Sequence, residues 1–161
     1  IDNNILEFLI NDALKNKLKR SRICTHKKPS SKIHEMFIAI LKDSYIKPHK
    51  HLTKDESYLL IRGKLEIVIF NELGRIKEII YMSSTGKHKK FYFKVLKNTM
   101  HTIVTKSKYV VIKEVTEGPF NKKNDVFANF APNENQKNKI KTYYKKLNKD
   151  IEIYKSIYEK K

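Results

Sequence analysis

The stretch His49-Lys50-His51-Leu52-Thr53-Lys54-Asp55-Glu56, with Gly63 beyond it, is the most informative in the chain. Side chains two apart on a β-strand point to the same face, so His49 and His51 can present two imidazoles to one point inside a barrel. Glu56 follows at a distance that allows a tight turn, so its carboxylate can reach the same point from a neighbouring strand. Gly63 suits the sharp turn before a strand beginning at Lys64. An H-x-H pair alone is often a solvated surface pair. The carboxylate and glycine at these offsets favour a site. Two imidazoles and a carboxylate suit Fe, Mn, Zn, Ni or Co better than Ca or Mg, which prefer all-oxygen shells.

On both sides of this stretch, from Glu35 to about Val115, the sequence reads as short strands and turns. Residues 36–41 and 57–61 are apolar runs. Leu65, Ile67 and Ile69 alternate with Glu66, Val68 and Phe70. Asn71-Glu72-Leu73-Gly74 is a turn, and residues 75–81 return as the second arm of a hairpin. Residues 91–96 and 109–115 supply two more strands. Short strands without intervening helices predict a mainly β antiparallel sandwich or barrel.

The two ends differ. Ile5, Leu6, Leu9, Ile10, Ala13 and Leu14 recur at helical spacing, which predicts an amphipathic helix over residues 2–19. A basic stretch then leads to a linker around Lys27-Lys28-Pro29-Ser30-Ser31. Ile140, Tyr144, Leu147, Ile151, Tyr154 and Tyr158 follow a four-three spacing on a Lys-rich C-terminal helix. That stripe is either a dimerisation seam or a face packed on the chain's own barrel. The organisation is therefore a helical segment over 1–22, a barrel domain over 23–132 and a C-terminal helix over 133–161.

The 161 residues leave room for one domain with a real core. No apolar run approaches the roughly 20 residues of a membrane-spanning helix, and the start carries no secretory cleavage pattern. Cys24 is the one cysteine, so no internal disulfide forms, and a cytoplasmic location is expected. The net charge of +18 raises nucleic acid as a partner. Arginine occurs only at positions 20, 22, 62 and 75, however, whereas base and phosphate readout leans on guanidinium forks. No nucleic-acid-binding motif is present, so a solvated Lys-rich surface is the favoured reading.

Residues 43–63 resemble the first motif of the cupin superfamily, G-x5-H-x-H-x3–4-E-x6-G, with Asp43 in place of the leading Gly. Residues 90–105 resemble its second motif more loosely. His101 holds the histidine position, Asn98 and Leu96 replace the usual Gly and Pro, and Lys90 and Thr105 replace the outer Gly and Asn. Asn tolerates left-handed backbone almost as well as Gly, so the turn before His101 is kept. The runs Arg22-Ile-Cys-Thr-His26, His34-Glu35-Met36, Pro48-His49-Lys-His51 and Asp55-Glu56-Ser57 are similar to the cupin fold metalloproteins of the WbuC type. So are Phe91-Tyr92, His101-Thr102 and residues 114–120. The likeness spans about residues 20–132.

The resemblance implies an antiparallel cupin jelly roll with one divalent transition metal held by His49, His51, Glu56 and His101. It also makes Arg22, His26 and Glu35 candidates for the rim or for hydrogen bonds to the ligands. Three imidazoles and one carboxylate leave open positions on the ion, as in a catalytic site. His34 and His88 are expected to be exposed, and Cys24 to be a small buried hydrophobe. Phe37, Tyr45, Tyr58, Phe91 and Phe93 are expected either to line a sugar-sized pocket or to pack the barrel. The family is associated with bacterial surface-polysaccharide (O-antigen-type) biosynthesis. That implies an enzyme, an isomerase, epimerase or oxygenase, acting on a sugar or nucleotide-sugar, and often a homodimer. A non-catalytic module sensing a sugar or metal is the alternative.

Overall fold

A computed structural model describes residues 1–86 and 89–158. Among them run α1 (Asn3–Lys15), β1 (Arg20–Cys24), β2 (Ile33–Leu41), β3 (His49–His51), β4 (Glu56–Arg62) and β5 (Lys64–Phe70). Next come β6 (Ile76–Ser83), β7 (Tyr92–Val95), β8 (His101–Thr105), β9 (Tyr109–Glu117), β10 (Asp125–Phe127) and α2 (Lys137–Tyr158). The strands form two five-stranded sheets, ordered β1-β2-β9-β4-β7 and β10-β3-β8-β5-β6. Every paired strand is antiparallel. This is the mainly β jelly roll expected, with a helix at each end of the chain.

Residues of both sheets meet in a shared core that includes Ile40, Leu60, Leu65, Ile67, Ile80, Met82, Ile103 and Ile112. Alternation along each strand places these side chains inward and leaves a second face to be covered. α1 covers one sheet. Its Leu6, Leu9, Ile10 and Ala13, one face at helical spacing, bury against Ala39, Leu41 and Val111. Asp2 caps this helix by accepting from the Ile5 N–H at 3.0 Å. It ends at Lys15 and not near residue 19, because Asn16 turns extended and its side chain takes the Leu18 N–H.

α2 covers the other sheet, with Leu147 and Ile151 packed on Val68, Phe70 and Val104. The middle of its stripe therefore packs on the chain's own barrel, Tyr158 at its end is exposed, and the Tyr144 hydroxyl donates to the Ser44 carbonyl at 2.7 Å. The expected positions of special backbone are found. Gly63 has φ +90, and a Cβ there would lie 2.4 Å from the Tyr109 carbonyl oxygen. Asn98 has φ 63, the left-handed turn in front of β8. Three strands were not anticipated, among them β8, in a stretch read only for the turn before His101. β1 occupies what reads as a basic run into a linker, and β10 lies in a stretch with little strand signal. His88 lies outside the described residues.

Candidate metal centre

The first wall of the site is the sheet holding β3 and β8. His49 and His51 share a face of β3, and His49 is the cross-strand partner of His101 on β8. Glu56 opens β4 on the facing sheet, so the carboxylate comes from across the barrel and not from an adjacent strand. His51 Nε2 lies 2.9 Å from Glu56 Oε1, and His101 Nε2 lies 3.3 Å from Glu56 Oε2. Ligand atoms of His49, His51 and Glu56 all fall within 4.8 Å of one another. The His49 and His101 ring centroids are 4.7 Å apart. All four side chains thus converge. His51, Glu56 and His101 are buried, and His49 is half-buried.

What surrounds the imidazoles fixes their orientation. His49 Nδ1 lies 3.0 Å from the Lys47 carbonyl, His101 Nδ1 lies 2.9 Å from the Thr99 carbonyl, and His51 Nδ1 lies 2.6 Å from Asp125 Oδ1. Each of these partners can only accept, so each Nδ1 is the donor and carries a proton. In the neutral rings the second nitrogen is then a lone pair. For His51 that atom is buried next to a carboxylate oxygen yet makes no hydrogen bond of acceptable geometry. Outward Nδ1–H bonds with an unsatisfied inner nitrogen are what a metal-ligating histidine needs. The donor set therefore fits a first-row divalent ion.

Electrostatics agree. Burial, followed by the neighbouring His101, lowers the His49 pKa to about 4, so this ring is neutral at neutral pH. Burial also opposes charge on Glu56, but the adjoining His101 and His51 rings hold its carboxyl well below the usual range. For His51, burial is outweighed by the neighbouring Glu56 and Asp125 carboxyls, and its pKa rises. The Tyr58 hydroxyl donates to Glu56 Oε2 at 2.6 Å and approaches His101 Nε2 at 3.3 Å. Sequence reasoning named Tyr58 only as a pocket aromatic. Asp125 was missed altogether, since nothing local marks a three-residue strand that pairs with β3.

These groups open onto a cavity of about 620 Å³. Arg22 and His26 line it. Glu35 does not. Parity turns it to the opposite face of β2, where it pairs with Lys113 at 2.8 Å. His34 is buried, not exposed, because its ring stacks on His26 with centroids 4.1 Å apart. Cys24 is exposed and lines the cavity instead of filling a core, because it sits on the edge strand β1. Of the five aromatics, Tyr58 alone lines this cavity. Phe37 packs under α1, Tyr45 and Phe93 are held within the fold, and Phe91 is on the outer surface. Phe120 and Phe127 line the cavity in their place. Glu114 also lines it, and burial together with the charge of Glu56 pushes its pKa up to about 8.

A search of curated protein sequences returns no match. Among solved structures, protein SO0799 from Shewanella oneidensis is similar with a TM-score of 0.59 at 10% identity, covering 78% of this chain and 82% of that one. The capsular polysaccharide assembling protein CapF from Staphylococcus aureus gives 0.52 at 19% identity, over 66% of this chain and 29% of CapF. Streptomyces PAC13, solved with uridine, gives 0.51 at 12% identity, over 70% of this chain and 79% of that one. At these identities the likeness is one of fold. The family model that matches residues 1–82 is described as a domain of unknown function, DUF6016, and the chain belongs to that family.

Proposed function

We propose that this chain is a divalent-metal cupin in which His49, His51, Glu56 and His101 hold one ion of Fe, Mn, Zn, Ni or Co. The carrying observation is that all three imidazoles are pinned from behind through Nδ1 while their other side faces Glu56. A bound ion of this class would polarise a carbonyl or hydroxyl of a substrate, or lower the pKa of a water. Tyr58 holds the Glu56 carboxylate in place, and Asp125 orients His51. Ile38, Ile40, Ile103 and Ile112 form an apolar part of the cavity wall.

The reading we favour is a metal-dependent enzyme acting on a sugar or nucleotide-sugar, in the manner of the WbuC-type proteins that the sequence resembles. Its setting would be bacterial surface-polysaccharide assembly. That CapF is named for capsular polysaccharide assembly, and that PAC13 was solved with uridine, supports this choice of substrate class. The cavity volume is ample for a sugar ring.

Elemental analysis of protein purified without a histidine tag, beside His49→Ala and Glu56→Ala, tests the metal assignment. Near-stoichiometric metal is expected in the parent protein, with loss in both variants while the far-ultraviolet circular dichroism is kept. Equal, low metal in all three would remove the assignment. Turnover is tested separately by incubating metal-loaded protein with nucleotide-sugars. Saturable binding without product would turn the reading to a sensing module.

A further inference from the structure

The edge strand β1 carries Arg20, Arg22 and Cys24 at alternate positions, so one face of it looks into the cavity. Two of the chain's four arginines stand on this face, in a sequence whose positive charge is otherwise almost all lysine. Their situations differ. Arg20 is committed to structure, donating to the Tyr45 carbonyl at 2.7 Å and to Glu134 at 2.5 Å. The Arg22 side chain has no hydrogen bond and no ion pair among the described residues, although it lines the cavity. Lys54, from the turn between β3 and β4, lines the same cavity. Its ammonium lies over the Phe120 ring, 5.4 Å from the centroid, and makes no ion pair.

The two cations bear on the same place. Arg22 comes from β1 and Lys54 from the turn before β4, and both line the cavity onto which His49, His51 and Glu56 open. Glu114 lines the same cavity, but among the described residues no ion pair joins it to either cation. Two uncompensated cations facing a cavity next to the histidine–glutamate cluster leave a favourable place for an anion. A guanidinium offers a two-pronged donor set that matches carboxylate or phosphate, and an ammonium adds a point charge. We propose that Arg22 and Lys54 form an oxyanion subsite on the cavity wall, which takes a phosphate or carboxylate group of the substrate. This inference rests on the reading that the cavity is the substrate site, and it narrows that substrate to an anionic one.

Calorimetric titration with glucose 1-phosphate, glucuronate and glucose tests it, because the three probes separate phosphate from carboxylate and both from a neutral sugar. At least one charged probe is expected to bind about tenfold or more tightly than glucose, and to lose about tenfold in Arg22→Gln, the worth of one charge-assisted contact. Lys54→Met should weaken the same probe, while Arg75→Gln, a change at an exposed turn remote from the cavity, should not. Binding equal for charged and neutral probes, no binding of either charged probe at millimolar concentration, or indifference to Arg22→Gln overturns the proposal. The His49→Ala variant separates the two readings. Charged-probe binding that survives there with the metal gone places the anion on Arg22 and Lys54. Loss in His49→Ala with none in Arg22→Gln places it on the metal and overturns the subsite. Metal content is measured in the same samples, so failure of the metal assignment is seen independently.

Discussion

Three imidazoles meet one carboxylate here, and they are held by two kinds of partner. His49 and His101 lean on backbone carbonyls, which no side-chain substitution removes. His51 leans on Asp125, its register partner on β10, at 2.6 Å. Asp125→Ala should therefore loosen His51 alone and weaken metal affinity about 10- to 100-fold, the usual effect of deleting a carboxylate behind a ligating histidine. Competition against a chelator of known affinity measures it, and an unchanged affinity would show that Asp125 has no part in holding the ring. At this scale the sequence told much about His49, His51 and Glu56, because strand parity and a turn are local. Asp125 was invisible for the opposite reason. It reaches His51 across 74 residues of chain, through a strand too short to leave a periodic signal.

Elements show the same division. The strand β5 reads in sequence as an alternation with Glu66, Val68 and Phe70 on the face away from the core, yet all three are buried. The cause is α2, which lies on that face and also supplies Lys155 as an ion-pair partner for Glu66. The four-three stripe of α2 left open whether it meets a second copy or its own barrel, since both require the same spacing. At Ile151 the stripe is spent on this chain's own sheet, which covers that side chain fully. Ile151→Ala should accordingly cost about 2–5 kcal/mol of unfolding free energy, the range for a large-to-alanine change in a packed core. Denaturant unfolding at two protein concentrations measures it. A loss that depends on protein concentration, or one below about 0.5 kcal/mol as at a surface site, would mean that the stripe serves another purpose.

Over the whole molecule, the charge of +18 is a surface property, whereas pH sensitivity near neutrality comes from a few buried groups around the cavity. Two of them oppose each other in acid. The His49 pKa is lowered to about 4, so between about 4 and 6.5 the unfolded chain takes up a proton that the folded chain refuses, and stability falls as pH drops. The Glu114 pKa is raised to about 8, so between 4.5 and 8 the folded chain keeps a proton that the unfolded chain releases, and stability falls as pH rises. Below 6.5 these trends offset each other. Above 6.5 His49 is neutral in both states and drops out, while the raised pKa of His51 acts in the same direction as Glu114. Metal-free protein should thus lose stability from pH 6.5 to 8, by up to about 2 kcal/mol from Glu114 alone at 1.4 kcal/mol per pH unit. Glu114→Gln, which keeps the shape and removes the titration, should flatten most of that slope. Denaturant midpoints of chelated protein at pH 6.5 and 8 decide it. A parent protein whose midpoint is level or rises, or a variant with an undiminished slope, would show that the Glu114 carboxyl is already ionised in the folded chain, and Arg22 and Lys54 would then face a charged neighbour instead of a neutral one.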